Sequence, residues 1–120
     1  MIAPSCPALV IHDDDAFRKS LIAALDQRHF TVTFSADGDG ALELLRERNF
    51  RIVLLGVDMK SKKGLSALEA LRNRDRKTVS VIIVGEPDPE LRSYGLVADE
   101  TLLKPVDAAY VADRARVYCM

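Results

Sequence analysis

Short apolar runs alternate along the chain with stretches in which apolar residues recur every three or four positions. Residues 8–11 (Ala-Leu-Val-Ile) form a run of the kind shown by a strand buried on both faces. Beyond an acidic cluster at 13–15, Phe17, Leu21, Ile22 and Leu25 follow at helical spacing. Residues 31–34 are β-branched and aromatic, which predicts a strand. Residues 37–48 carry Ala41, Leu42, Leu44 and Leu45 and predict a second helix, and 52–55 is the next apolar run. Leu65, Leu68 and Leu71 stripe a third helix, 79–84 is the most β-like stretch of the chain, and 91–97 reads as a short fourth helix. Leu102 and Leu103 mark a strand stub. Asp107 is placed to cap a last helix striped by Val111, Ala115 and Tyr118.

Five strand-then-helix units imply an α/β fold with a parallel sheet covered on both faces. Right-handed crossovers leave few arrangements. The expected one is a flavodoxin-like, doubly wound, five-stranded sheet of order 2-1-3-4-5 with five helices. Its functional crevice would lie at the C-terminal ends of strands 1 and 3. The positions to weigh are therefore those just after Ile11, Leu55, Val84 and Leu103.

Composition narrows the picture. The 120 residues suit one domain over 1–120, standing alone or cut from a longer protein. No apolar run approaches the roughly 20 residues of a membrane span, and the first residues lack the pattern of a signal peptide, so a cytoplasmic protein is expected. A net charge of −1 lacks the basic excess of a nucleic-acid binder. Cys6 and Cys119 have no metal-ligand spacing and read as free thiols in a reduced compartment. In the expected topology, though, both fall at the end of the sheet opposite the crevice. A bridge is then geometrically open if their Cα atoms come within about 7 Å.

Some motifs have plain readings. Asp37-Gly38-Asp39-Gly40 has neither the third glycine of a dinucleotide loop nor the later acids of a calcium loop, and reads as a helix start. His29 reads as a surface residue in a helix–strand turn. Lys60, Lys62 and Lys63 read as a solvated loop, with screening of the acidic cluster or docking of an acidic partner as the functional alternative. No serine or cysteine at a strand's C-terminal edge supplies a nucleophile–base pair, so no enzyme is expected.

Five segments in order carry a resemblance. They are Leu9-Val10-Ile11-His12-Asp13-Asp14-Asp15 with Arg18; Ala36-Asp37-Gly38 with Ala41-Leu42 and Leu44-Leu45; Ile52-Val53-Leu54-Leu55-Gly56-Val57-Asp58-Met59 with Gly64-Leu65; Ala98-Asp99; and Leu102-Leu103-Lys104-Pro105. Together they resemble the receiver domain of two-component response regulators over nearly the whole chain. The resemblance implies a phosphoryl group passed from a histidine kinase to an aspartate at the end of strand 3. It also implies Mg²⁺ held by oxygen ligands that include an acidic pair after strand 1. A lysine would offset charge on the phosphoryl oxygens and a Ser/Thr hydroxyl after strand 4 would read the product, with catalysis by positioning and electrostatics.

The departures matter for function. Anchored on Met59 and Gly64, the acceptor position falls on Gly56, which has no side chain to phosphorylate. Counted back from Arg18, the acidic pair falls on His12 and Asp13; a register shifted by one gives Asp13 and Asp14, with Asp15 as the helix N-cap. Imidazole is a softer ligand than Mg²⁺ prefers. Asp58 matches a position whose backbone carbonyl ligates the metal in the family. The expected metal set is thus Asp13, Asp14 and Asp58, weak or vestigial. Val84 or Gly85 replaces the hydroxyl, and Thr101 replaces the aromatic that rotates with it. Pro87 and Pro89 crowd a fourth helix about one turn shorter than usual in the family. Lys104-Pro105 remains, a bond often cis in the family, with Asp13 as the expected partner of the lysine.

The resulting expectation is a receiver-like signalling domain, phosphorylation-incompetent, with no cofactor beyond weak Mg²⁺. It would act through a protein partner, which could be a histidine kinase, an output domain or a regulator. The contact face would be that of the fourth helix, fifth strand and last helix, where Tyr94, Thr101, Tyr110 and Arg114 fall, and a homodimer could use the same face. Two alternatives stand beside it: a functional receiver phosphorylated on Asp13, Asp14 or Asp58, and a small-anion or small-molecule sensor using the space beside Gly56 with Lys104.

Overall fold

Five parallel strands make one sheet in the computed structural model of the chain, which describes residues 5–12, 14–36, 38–57, 78–84, 99–103 and 106–119. The strands are β1 (Cys6–Ile11), β2 (Phe30–Ser35), β3 (Ile52–Val57), β4 (Val79–Val84) and β5 (Glu100–Leu103). Their order is β2-β1-β3-β4-β5, as the alternation of elements predicts. The central strands β1 and β3 are the apolar runs, and Ala8 to Ile11 and Ile52 to Leu55 are all buried. A strand flanked on both sides and covered on both faces needs apolar residues at every position, which is why these two were legible as unbroken runs.

The described helices are α1 (Asp15–Asp26), α2 (Gly38–Glu47) and the C-terminal helix (Ala108–Arg116), which runs on into a 3₁₀ turn (Val117–Cys119). Leu21, Ala24 and Leu25 of α1 pack with Val111, Ala112 and Ala115 of the C-terminal helix against Ala8, Val10, Ile52, Leu54 and Leu102. This is one core layer. An ion pair between Arg28, in the turn after α1, and Asp113 of the C-terminal helix (2.7 Å) closes its rim. Leu9, Val53 and Leu55 alternate to the other face, and α2 buries Ala41 and Leu45. The expected third and fourth helices, at 65–71 and 91–97, lie outside the described residues.

Two expectations are corrected. Asp14, not Asp15, caps α1: its backbone is extended (φ −75°, ψ 110°) and its carboxylate accepts the Phe17 amide at 3.1 Å. β1 ends at Ile11 and the chain turns early enough for Asp15 to be the first helical residue, where it pairs with Arg18 and Lys19. Cys6 and Cys119 are not free thiols but a disulfide, with Cα atoms 6.0 Å apart. The C-terminal helix lies on the β1 face, and its 3₁₀ turn returns the chain to the start of β1. There Arg51 Nε donates to the Tyr118 carbonyl (3.1 Å) and the Arg51 amide to the Pro7 carbonyl (2.8 Å).

Candidate functional site

The end of β1 and the end of β3 are brought side by side by the sheet register. Ile11 pairs with Leu55, so the next residues along the two parallel strands, His12 and Gly56, stand next to each other. The His12 amide continues the ladder on the other side, donating to the Ser35 carbonyl at 3.2 Å. Side chains alternate along a strand. His12 therefore points with Val10, and position 56 with Leu54, to the face that α1 covers.

The imidazole of His12 is only 3% exposed. Its ring lies 4.9 Å from that of Phe17, tilted by 40°. Its Nδ1 accepts the Asp14 amide at 3.0 Å. A nitrogen that accepts carries no proton, so a neutral ring holds its proton on Nε2. Arg18 closes the turn around it. The guanidinium donates to the His12 carbonyl at 2.8 Å, pairs with Asp15, and lies 5.4 Å from the Phe34 ring centroid. The first helix thus holds His12 by an amide, an aromatic ring and an arginine.

The ring fills the room over Gly56. A Cβ placed at residue 56 would come within 2.7 Å of Nε2 and 2.8 Å of Cγ of His12, and closer still to Cδ2. No ordinary side chain fits at position 56 while the imidazole stays where it is. Asp14, the third of the described crevice residues at this edge, has its carboxylate on the α1 cap. Thr101 is exposed on β5, paired in register with Ile82. Asp13, Asp58, Gly85, Lys104 and Pro105 lie outside the described residues, as do Tyr94, Pro87, Pro89 and the lysines of 60–63.

The donor set tests the metal that the resemblance implies. Mg²⁺ takes hard oxygen ligands in a near-octahedral shell. Among the described residues this edge offers a buried imidazole whose Nδ1 is engaged, a capping carboxylate and a glycine. These supply one hard oxygen ligand; Asp13 and Asp58, the other two residues of the expected metal set, lie outside the described residues.

A second polar cluster gave no signal in the sequence. Arg114 of the C-terminal helix grips Glu100 of β5 through Nε (2.8 Å) and a terminal nitrogen (2.6 Å), both on Oε1. The Tyr118 hydroxyl donates to Oε2 of the same carboxylate at 3.0 Å. Burial, with help from that bond, pushes the Tyr118 phenol above its usual value, and Glu100 raises the Arg114 guanidinium. The residues are 14 and 18 positions apart, and only the packing of the helix across β5 brings them together.

The sequence profile of the response regulator receiver domain matches residues 8–116. The chain is 28% identical over 111 residues to the TorCAD operon transcriptional regulatory protein TorR of Escherichia coli strain K12, covering 90% of this chain and 47% of that protein. It is 33% identical over 100 residues to the Regulator of RpoS of the same strain, covering 82% of this chain and 30% of that protein. Among solved structures, a CheY-like receiver domain protein from Methanospirillum hungatei superposes with TM-score 0.85 at 19% identity, over 94% of this chain and 92% of that one. The orphan response regulator HP1043 of H. pylori superposes with TM-score 0.84 at 16% identity, over 99% and 100%. The architecture is that of a CheY-like, flavodoxin-type receiver. The chain belongs to the response regulator receiver domain family of two-component signalling. It spans half or less of the length of the curated relatives named above.

Proposed function

We propose that this receiver domain takes no phosphoryl group and signals through contacts with other proteins. One observation carries the reading. At the end of β3, where the family resemblance puts the phosphoacceptor, stands Gly56, and the room a carboxylate would need is filled by the His12 ring. Nor is His12 a natural substitute acceptor. It is buried, and its engaged Nδ1 leaves the proton of a neutral ring on Nε2. The same occupancy favours this reading over an anion sensor built on the space beside Gly56.

The protein partner belongs on the outer side of β5 and the C-terminal helix. β5 is an edge strand, and exposed edges are ready pairing surfaces. Leu103 and Tyr110, each about half exposed, and Thr101 are the exposed residues these two elements offer from the expected contact face and its neighbourhood. Signalling of this kind, without catalysis and in the cytoplasm, is the proposed role.

The test is intact mass after incubation with Mg²⁺ and a small-molecule phosphodonor. The expected outcome is an unmodified protein. A gain of one phosphoryl group would overturn the proposal, and mapping it to Asp13, Asp14 or Asp58 would name the substitute acceptor.

A further inference from the structure

We infer that His12 and Gly56 are an interlocked pair: the imidazole is the built-in occupant of the crevice, and glycine at 56 is the residue that this imidazole requires. The inference rests on the reading of position 56 given above for its functional meaning, but its geometry stands by itself. The two residues are adjacent across β1 and β3, one step past the Ile11–Leu55 pair. Both face the α1 side. A Cβ at 56 would fall within 2.7 to 2.8 Å of two ring atoms, a separation that real Cβ atoms essentially never show.

The ring has nowhere easy to go. It is enclosed, tilted against the Phe17 ring and anchored by the Asp14 amide on Nδ1. Its backbone is pinned as well, by the Ser35 carbonyl on one side and the Arg18 guanidinium on the other. Relief of the clash would have to come from leaving that hydrogen bond and that aromatic contact, or from spreading the two central strands. Closely packed interiors resist such shifts, and overpacking destabilises.

The interlock has a consequence for repair of the acceptor. Restoring aspartate at 56 alone puts a larger side chain into a filled space. Both positions must change together. The pair also explains how the domain can keep a receiver fold with an empty backbone position at its centre: the imidazole packs the volume that the missing side chain leaves.

The test is a double-mutant cycle read by thermal melting. The four proteins are the wild type, Gly56→Ala, His12→Gly and His12→Gly/Gly56→Ala. Gly56→Ala is expected to lower the melting temperature by roughly 4 °C or more in the His12 background. In the His12→Gly background the same change should cost nothing or stabilise. Equal effects in the two backgrounds would overturn the inference. Should a variant fail to fold, the wild type answers by NMR. A cross-peak between His12 Hδ2 and the Gly56 Hα protons is expected, and its absence sinks the pairing.

A phosphorylation arm separates this inference from the functional reading. Gly56→Asp and His12→Asp/Gly56→Asp are treated with Mg²⁺ and the phosphodonor beside the wild type. If Gly56→Asp gains a phosphoryl group as readily as the double variant, the interlock is wrong while the incompetence of the wild type stands. If the wild type itself is modified, the functional reading fails, and the melting cycle still decides the interlock.

Discussion

Tyr118 is held by the fold in its protonated form. Burial acts first, because a phenolate loses more hydration than a phenol, and the bond to Glu100 Oε2 adds to it, since only the neutral hydroxyl can donate. The folded pKa is therefore above the unfolded one. The linked stabilisation is complete below the ordinary tyrosine range of about 10 and is lost as pH rises through the folded value. Tyr118→Phe removes the hydroxyl and keeps the ring. At neutral pH it is expected to cost about 1 kcal/mol in denaturant unfolding. The gap between wild type and variant should close as the pH climbs past 10. A gap that stays constant across that range would show that the hydroxyl does not titrate as the Glu100 contact requires. Arg114 holds the same carboxylate and remains cationic over this range, so it does not confound the comparison.

The elements divide by how local their causes are. β1, β3 and β4 were legible because central strands carry their own apolar runs. β5 was visible only as Leu102 and Leu103; Glu100 and Thr101 join it because β4 offers them a ladder, Val81 to Glu100 and Ile82 to Thr101. Thr78 is a similar case: its hydroxyl donates to the buried Phe50 carbonyl at 2.8 Å, a bond between residues 28 apart that no local pattern announces. The same holds for the crevice. Histidine at 12 and glycine at 56 were each visible as departures from the family pattern. That they share one volume follows only from the parallel register, which a linear reading does not supply. The α1 cap shows the limit at single-residue resolution, since three successive aspartates are all acceptable caps and the strand end selects Asp14. Asp14→Ala is expected to lower stability by about 1 kcal/mol. Its backbone amide survives the change, so His12 should keep its position, and an unshifted His12 ring spectrum together with the lost stability would separate the cap from the crevice. A shifted ring would show that the carboxylate also positions the imidazole.

The whole molecule is closed on itself by the Cys6–Cys119 bridge, which spans 113 positions of sequence. Cross-linking residues so far apart removes much of the freedom of the unfolded chain, on the order of 4–5 kcal/mol in the chain-entropy account. That is a large part of what a domain of this size has. The bridge joins the start of β1 to the 3₁₀ turn, and the same turn carries the Tyr118 contacts to Arg51 and Glu100. Covalent and polar ties thus converge on one end of the sheet, opposite the His12–Gly56 crevice. A reducing cytoplasm works against such a bridge, so the proposed location makes the thiol state a variable of the protein's stability. Reduction by a dithiol should lower the melting temperature by well over 10 °C at this magnitude. A Cys6→Ser/Cys119→Ser variant should melt where the reduced protein does and ignore the reductant. Hydrogen exchange should quicken first in residues 117–119 and at Arg51, and remain slow in β1 and β3 beside the crevice. If reduction leaves the melting temperature unchanged, the bridge contributes nothing to the fold, and the packing of the C-terminal helix alone holds the two ends together.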